Sequence, residues 1–191
     1  MYFGHNRGVD YLSYEQFGVS FVRYAVTPER VAASMADVAG EAVEVGPLPA
    51  GPGGIATVKA TGQIGAIEVT PDPGDILRFR AVLPIELDLE VRLGPVPNRY
   101  NGEVKVPLAL TVRAAAPLML VIDIDPITPR DVHVDLQSSS VGGDVIQRVG
   151  NMDAEVQAQV AKVVNERINS ERAMETRVID VAALVDESWA D

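Results

Sequence analysis

Cysteine is absent from this chain of 191 residues, and with it go disulfides, thiolate zinc sites and cysteine nucleophiles. Aromatic residues are scarce: one Trp, five Tyr and four Phe, with seven of the ten in the first 24 positions. The core of the rest must therefore be aliphatic. Basic runs are also missing, because the 16 Lys and Arg are scattered among 27 Asp and Glu. A net charge of -11 argues against nucleic acid, which needs clustered cations. It argues equally against steady docking on anionic membranes, where each basic residue contributes about 1 kcal/mol. Solubility is the simplest role for such a charge. No stretch approaches the ~18 uninterrupted apolar residues of a membrane span. The longest, Ala114 to Ile122, is broken by Pro117. Met1 to Asp10 carries Arg7 and Asp10 with no apolar run behind them, unlike a secretory signal. These absences predict a soluble, cytoplasmic protein without an integral membrane span, a nucleic-acid partner, a metal or a cofactor.

What is present is a long run of one-sided strands followed by a change of period. Residues 1–191 suit a single domain, and a chain of this size buries roughly 70% of the surface its unfolded form exposes. Ile85, Leu87, Leu89, Val91 and Leu93 alternate with Glu86, Asp88, Glu90 and Arg92, so one side faces water and the other a core or a cavity. Leu77, Phe79, Ala81 and Leu83 alternate in the same way before them. Val104, Val106, Leu108, Leu110 and Val112 resume the pattern, as do Leu118, Leu120, Ile122 and Ile124, then Val132, Val134 and Leu136. Asn101 and Gly102 both tolerate positive φ and predict a hairpin turn. Ala115 to Pro117 predicts a bend. Earlier strand candidates are Ile55 to Thr61 and Gln63 to Thr70, closed by a turn at Asp72 to Asp75.

Helical signals lie at the two ends. In the aromatic-rich segment 1–26, Phe17, Phe21 and Tyr24 fit a helical face, while Phe17, Val19 and Phe21 equally fit a strand. Thr27 and Pro28 mark a helix start, Val31, Met35 and Val38 share a face, and Gly40 stops the run. The proline- and glycine-rich stretch Gly46 to Gly54 reads as a loop. From Asp144 to Ile168, apolar residues Val145, Val149, Met152, Val156, Val160, Val163, Val164 and Ile168 recur every three or four positions, the stripe of a long amphipathic helix. Gly150 and Asn151 predict a kink or a fresh cap within it. Arg177 to Leu184 can return as an edge strand. The fold class expected is α+β: a highly curved antiparallel sheet wrapped around a long C-terminal amphipathic helix, with a short N-terminal helix.

The passage from Pro129 through Asp131, Val132, His133, Val134, Asp135 and Ser138 to Ser140 into Asp144, Val145, Ile146 and a helix ending Asn165, Glu166, Arg167, Ile168, Asn169 resembles the tubular lipid-binding (TULIP) superfamily. That group contains the bactericidal permeability-increasing and synaptotagmin-like lipid-binding domains. The resemblance spans Thr27 to Val185 and rests on the order of the parts. It implies a sheet wrapped on a helix around an elongated apolar groove for acyl chains. Two departures, no cysteine pair and an acidic surface, argue against lipopolysaccharide binding. The helix-grip domains of the START type are similar in outline too, with an early helix near Pro28 to Ala39 and a curved sheet before a C-terminal helix.

Candidate ligand-lining residues are Leu87, Leu89, Val91, Leu108, Leu110, Leu120, Ile122, Val156, Val160 and Val164, although the same residues would suit a filled core. Asp131, His133 and Asp135, with Asp123 and Asp125 before them, form a carboxylate and imidazole group of the kind that holds divalent cations. A solvated strand face opposite Val132 and Val134 is the simpler account, and metal binding is not expected. The row Glu86, Asp88 and Glu90 suggests paired acid and base chemistry, yet nothing indicates desolvation. Arg78, Arg80 and Arg92 are candidate partners for it. Ser138, Ser139, Ser140, Gly142 and Gly143 precede a helix start, where a turn and a cap at Asp144 are the commoner meaning than an anion site. Gly51 to Gly54 lacks the Lys-Ser/Thr ending of a nucleotide loop, and no nucleophile elbow occurs.

Three functions follow. The first is non-enzymatic binding or transfer of a lipid or other elongated hydrophobic molecule between sheet and helix. The second is a small helix-grip cyclase or hydrolase, and the third an oligomeric adaptor with a filled core, for example a homodimer.

Overall fold

The computed structural model of the chain describes residues 10–73, 77–95, 97–138 and 152–190. It is an α+β structure with a strongly curved antiparallel sheet and helices at both ends. Helices α1 (Tyr14–Ala25) and α2 (Pro28–Ser34) come first, then a 3-10 turn, Ala36–Val38. Strands β1 (Ala42–Ala50), β2 (Ala56–Ile64), β3 (Glu68–Pro71), β4 (Arg78–Arg92), β5 (Pro97–Ala115), β6 (Met119–Ile124) and β7 (His133–Ser138) follow. The chain ends in α3 (Met152–Ile168), α4 (Glu171–Glu175), β8 (Val178–Asp180) and α5 (Val181–Ser188).

Two long strands organise the sheet. β4 and β5, of 15 and 19 residues, pair from Arg92↔Pro97 to Arg78↔Thr111 without a register break. Each is flanked on its outer side by two short strands laid end to end. β2 covers residues 85–92 of β4 and β3 covers 79–82, while β7 covers residues 100–105 of β5 and β6 covers 110–115. One end of the ribbon therefore reads β1-β2-β4-β5-β7, and the other β3-β4-β5-β6-β8.

Two prolines sit at the seams between those sections. In a strand, a residue's N–H and C=O point to the same side. The Pro84 carbonyl accepts from the Gly65 N–H at 2.8 Å, so the missing N–H of Pro84 faces the gap between β2 and β3. The Ala109 carbonyl accepts from Asp125 N–H at 3.0 Å, which by alternation turns Pro107 toward the gap between β7 and β6. A proline costs no ladder bond at either place. This is why the two separate alternating segments around Pro84 join into one strand.

The inner face is aliphatic and continuous. Phe79, Ala81, Leu83, Ile85, Leu87, Leu89 and Val91 of β4 are buried, as are Tyr100, Val104, Val106, Leu108, Leu110 and Val112 of β5. α3 buries Val156, Val160, Ala161 and Val164. It is anchored by two amide side chains. Asn165 Oδ1 accepts from Ile127 N–H at 2.9 Å and its Nδ2 donates to Ile127 O at 2.7 Å, while Gln157 Nε2 donates to Val132 O at 2.9 Å. The helix is thereby pinned to the segment between β6 and β7.

Several expectations change. Asn101 and Gly102 lie inside β5, and the chain reverses between Arg92 and Pro97 instead, with Gly94 at φ 88°. Gly102 has a packing role instead: a Cβ there would sit 2.3 Å from Asp135 O and 2.6 Å from Leu136 Cδ2 of β7. The stretch Gly46 to Gly54 is not a loop throughout, since β1 continues to Ala50. β1 lies at the sheet's edge, where prolines displace few ladder bonds. Its register shifts between Val45 and Leu48 at Gly46, whose φ is 98°. In the undecided N-terminal segment Tyr14–Ala25 is helical, its start fixed by reciprocal bonds between Ser13 and Gln16, while residues 1–9 lie outside the described residues. β8 forms in the tail by pairing with β6, and the chain then turns into α5. The bend at Ala115 to Pro117 joins β5 to β6. Residues 144–151 of the expected long helix, with Gly150 and Asn151, lie outside the described residues, as do Ser139, Ser140, Gly142 and Gly143.

Candidate ligand cavity

Between the inner face of the sheet and α3 lies a partly open cavity of about 460 Å³. The floor is laid by β4, through Leu83, Ile85, Leu87 and Leu89, with Leu108 of β5 beside them. Strict alternation along β4 sends these four to one face and Glu86 and Asp88 to the other. β2 contributes Val58, Ala60 and Ile64, and the edge strand β1 contributes Val43, Val45 and Leu48. The roof is α3, where Val156, Val160, Val163, Val164 and Ile168 recur at helical spacing. Met35 and Val38, from the end of α2 and the turn after it, close one side. The wall is thus overwhelmingly aliphatic.

Charge enters mainly at one end. Arg167 of α3, Arg172 of α4 and Arg177 all line the cavity, as does Glu41 before β1. The Glu41 carboxylate is ion-paired with Arg167 across the gap between β1 and the end of α3. Arg177 is held in place by donating Nε–H to Ala173 O at 3.0 Å and Nη2–H to Ile168 O. It thereby caps the last turn of α3. Glu155 and Gln159 are the polar side chains further up the helix.

Of the ten residues read from sequence as ligand-lining, Leu87, Leu89, Leu108, Val156, Val160 and Val164 lie on the cavity wall. Val91, Leu110, Leu120 and Ile122 are buried within the sheet's inner face but do not border it. β4 and β5 extend past both ends of the cavity, so residues further along the same face pack in the core. The sequence reading missed β1 altogether. Val43 and Val45 alternate with Ala42 and Glu44, a period-2 signal that the neighbouring prolines obscured. It also missed the arginines, which no local pattern connects with the strands.

The groups considered for metal or acid–base chemistry face outward. Asp131 does not share the β7 face with His133 and Asp135: it closes a 3-10 turn, Pro129–Asp131, and accepts from Thr128 N–H at 2.8 Å and Thr128 Oγ1–H at 2.6 Å. The Thr128 hydroxyl and N–H hold its carboxyl below the usual aspartate value. His133 and Asp135 are exposed, and Asp123 pairs with Arg113 at 3.0 Å. Among the described residues no group of three or more His, Asp or Glu is placed to hold a metal ion. Glu86 and Asp88 are exposed and Glu90 is half-buried. Glu90 accepts from Arg92 Nε–H at 2.8 Å, and Asp88 accepts from Asn101 Nδ2–H at 2.5 Å. Arg80, on the same strand, lies 3.8 Å from Asp72, just past the end of β3, rather than pairing with that row. Tyr100, fully buried, has its hydroxyl pushed to a higher pKa by desolvation, and the hydroxyl has no partner among the described residues. No described helix is long and apolar enough to cross a membrane.

No family model matches the chain, and no curated protein matches it. Among solved structures it is similar to the solution structure of latherin, at 16% identity over 89% of this chain and 84% of that one, with a TM-score of 0.38. A superposition of that quality carries no functional argument. The curled antiparallel sheet with its helices does agree, in outline only, with the tubular lipid-binding resemblance read from the sequence.

Proposed function

We propose that the chain acts as one lipid-binding-like unit that binds or transfers an elongated hydrophobic molecule without chemical conversion. The aliphatic cavity of about 460 Å³ between sheet and α3 carries this reading. Its volume falls within the ~300–1,000 Å³ typical of small-molecule sites, and aliphatic walls favour alkyl chains over polar metabolites. Each buried methylene contributes about 0.8 kcal/mol, so ten of them offer roughly 8 kcal/mol. That is set against ~4–15 kcal/mol for lost freedom on association, so the chain alone supports moderate affinity and a head-group contact adds the rest. The finer tubular lipid-binding reading is part of this proposal, as is the absence of a catalytic role. The enzyme alternative was read onto Glu86, Asp88, His133 and Asp135, and these are exposed on the face away from the cavity.

Native mass spectrometry of the purified chain, followed by solvent extraction, tests the reading. The expected result is a retained hydrophobic mass, or saturable uptake of a neutral hydrophobic dye by ligand-free protein. The absence of both a retained mass and dye uptake would refute it.

One observation favours the adaptor reading as a companion. α1 has no buried residue, and Tyr14 and Tyr24 on it are 97% and 75% exposed. Exposed aromatics in such density suit an assembly contact. Light scattering would then show a dimer that Tyr14→Ser with Phe17→Ser dissociates; a monomer at every concentration would exclude it.

A further inference from the structure

Nine polar side chains among the described residues border the cavity, and each is engaged with another part of the protein. At the α3–α4 end, Arg167 is paired with Glu41, and Arg177 donates to Ala173 O and Ile168 O. Arg172 is engaged as well. Ser34 donates to Val31 O at 2.7 Å, Thr176 donates to Ala173 O at 3.1 Å, and Ser170 Oγ accepts from Ala173 N–H at 3.3 Å. Further up α3, Gln159 Nε2 donates to Glu155 Oε1 at 3.3 Å. The wall satisfies itself.

Formal charge favours neither sign of ligand. Arg167, Arg172 and Arg177 stand among Glu166, Glu171 and Glu175 in the chain, and Glu41 faces them from the start of β1. Four carboxylates against three guanidiniums leave about one negative charge, to which the C-terminal carbonyls of α3 add roughly half of another. An anionic head finds no surplus cation there. A cationic head would share the space with three guanidiniums, and the two acids on the wall, Glu41 and Glu155, are already bonded. Either ion would have to surrender its hydration in an aliphatic cavity or displace an existing pair, and a buried charge without its own partner is strongly unfavourable.

We infer that the cavity selects an uncharged hydrophobe, of which a long-chain alcohol is the simplest kind, and discriminates against acids and amines carrying the same tail. The inference rests on the hydrophobic-ligand reading above and adds the charge state of the polar end. A hydroxyl breaks no existing pair: a carboxylate has about four lone-pair sites, and those that Arg167 and Gln159 leave unused on Glu41 and Glu155 can accept an O–H. It also gives up far less hydration than an ion.

The test is displacement of N-phenyl-1-naphthylamine, a neutral dye, from the full chain by 1-decanol, decanoate and decylamine, each below its micellar concentration and near neutral pH. 1-Decanol is expected to compete about tenfold or more tightly than decanoate or decylammonium, the size of one charge left without its partner. Changing the salt concentration should leave that order intact, because no ion pair with the ligand is there to be screened. Decanoate competing as well as 1-decanol overturns the inference in favour of an anionic head, and decylammonium doing so overturns it in favour of a cationic one. An anion preference that emerges at low salt overturns it too. In each of these cases the dye still binds and the cavity reading stands, and no variant has to fold. If no dye binds and nothing competes, the cavity reading itself fails and this inference with it.

Discussion

Replacing Asn165 with alanine tests how α3 is held over the sheet. The side-chain amide satisfies both backbone groups of Ile127, accepting at 2.9 Å and donating at 2.7 Å, and Ile127 is only 6% exposed. Alanine leaves an N–H and a C=O without partners in a half-buried position. Each such orphan costs ~1–3 kcal/mol, and partial access of water to the site favours the lower half, so the expected loss is about 2–4 kcal/mol. For a chain of this size that lowers the melting temperature by roughly 4–16 °C. Asn165→Asp should be at least as damaging, because it keeps an acceptor for the N–H but sets a carboxylate oxygen against the Ile127 carbonyl. Asn169→Ala is the control: its amide donates only to the exposed Asn165 carbonyl at 2.8 Å, and its loss should stay within about 0.5 kcal/mol. Urea titration gives the free energies, and amide exchange should show Ile127 N–H losing protection in Asn165→Ala. If Asn165→Ala and Asn169→Ala cost the same, the helix is held by its valine stripe alone and the anchoring argument is wrong.

Ala60→Phe places a ring into the cavity from β2, so dye uptake should fall tenfold or more while the melting temperature changes by only a few degrees, since the space already exists. Undiminished uptake would put the ligand elsewhere. Gly102→Ala should destabilise by about 1–3 kcal/mol through its clash with Asp135 O and Leu136, whereas Gly18→Ala in α1, with open space around it, should stabilise by about 0.5–1 kcal/mol; urea midpoints moving the same way would contradict this. Asp131 should titrate by NMR below an ordinary aspartate, and Thr128→Val should bring it back up. Because its folded pKa is depressed, the stability it lends to the turn is present above the unfolded pKa and is lost as pH falls through the folded one. An unchanged titration in Thr128→Val would remove the hydroxyl as the main cause.

The sheet's inner face was legible from the strands themselves. Burial of Leu83 to Val91 and of Val104 to Val112 follows from period-2 alternation, which is a property of one strand and needs no partner to be seen. Valine spacing likewise marked the buried stripe of α3 at Val156, Val160 and Val164. Punctuation was less reliable. Asn101 and Gly102 read locally as a turn, but Gly102 is required by the close approach of β7, a contact visible only once β7 is paired. The prolines of β1 read as a loop because a sequence does not show which strand lies at an edge. Pro84 and Pro107 are tolerated inside long strands only because their neighbours end beside them.

By itself, then, the amino-acid order determined which residues point inward, the switch from strand to helical period, and a core built without cysteine. Tertiary structure alone decided that part of the inward face borders a space rather than filling one. Of the ten candidate residues, Val91, Leu110, Leu120 and Ile122 pack in the core, while Val43, Val45, Leu48 and three arginines join the wall. The physical reason is that periodicity is set along one strand or helix, whereas a cavity depends on the separation between elements distant in the chain. Here that separation depends on side chains such as Asn165, whose partner Ile127 lies 38 residues away.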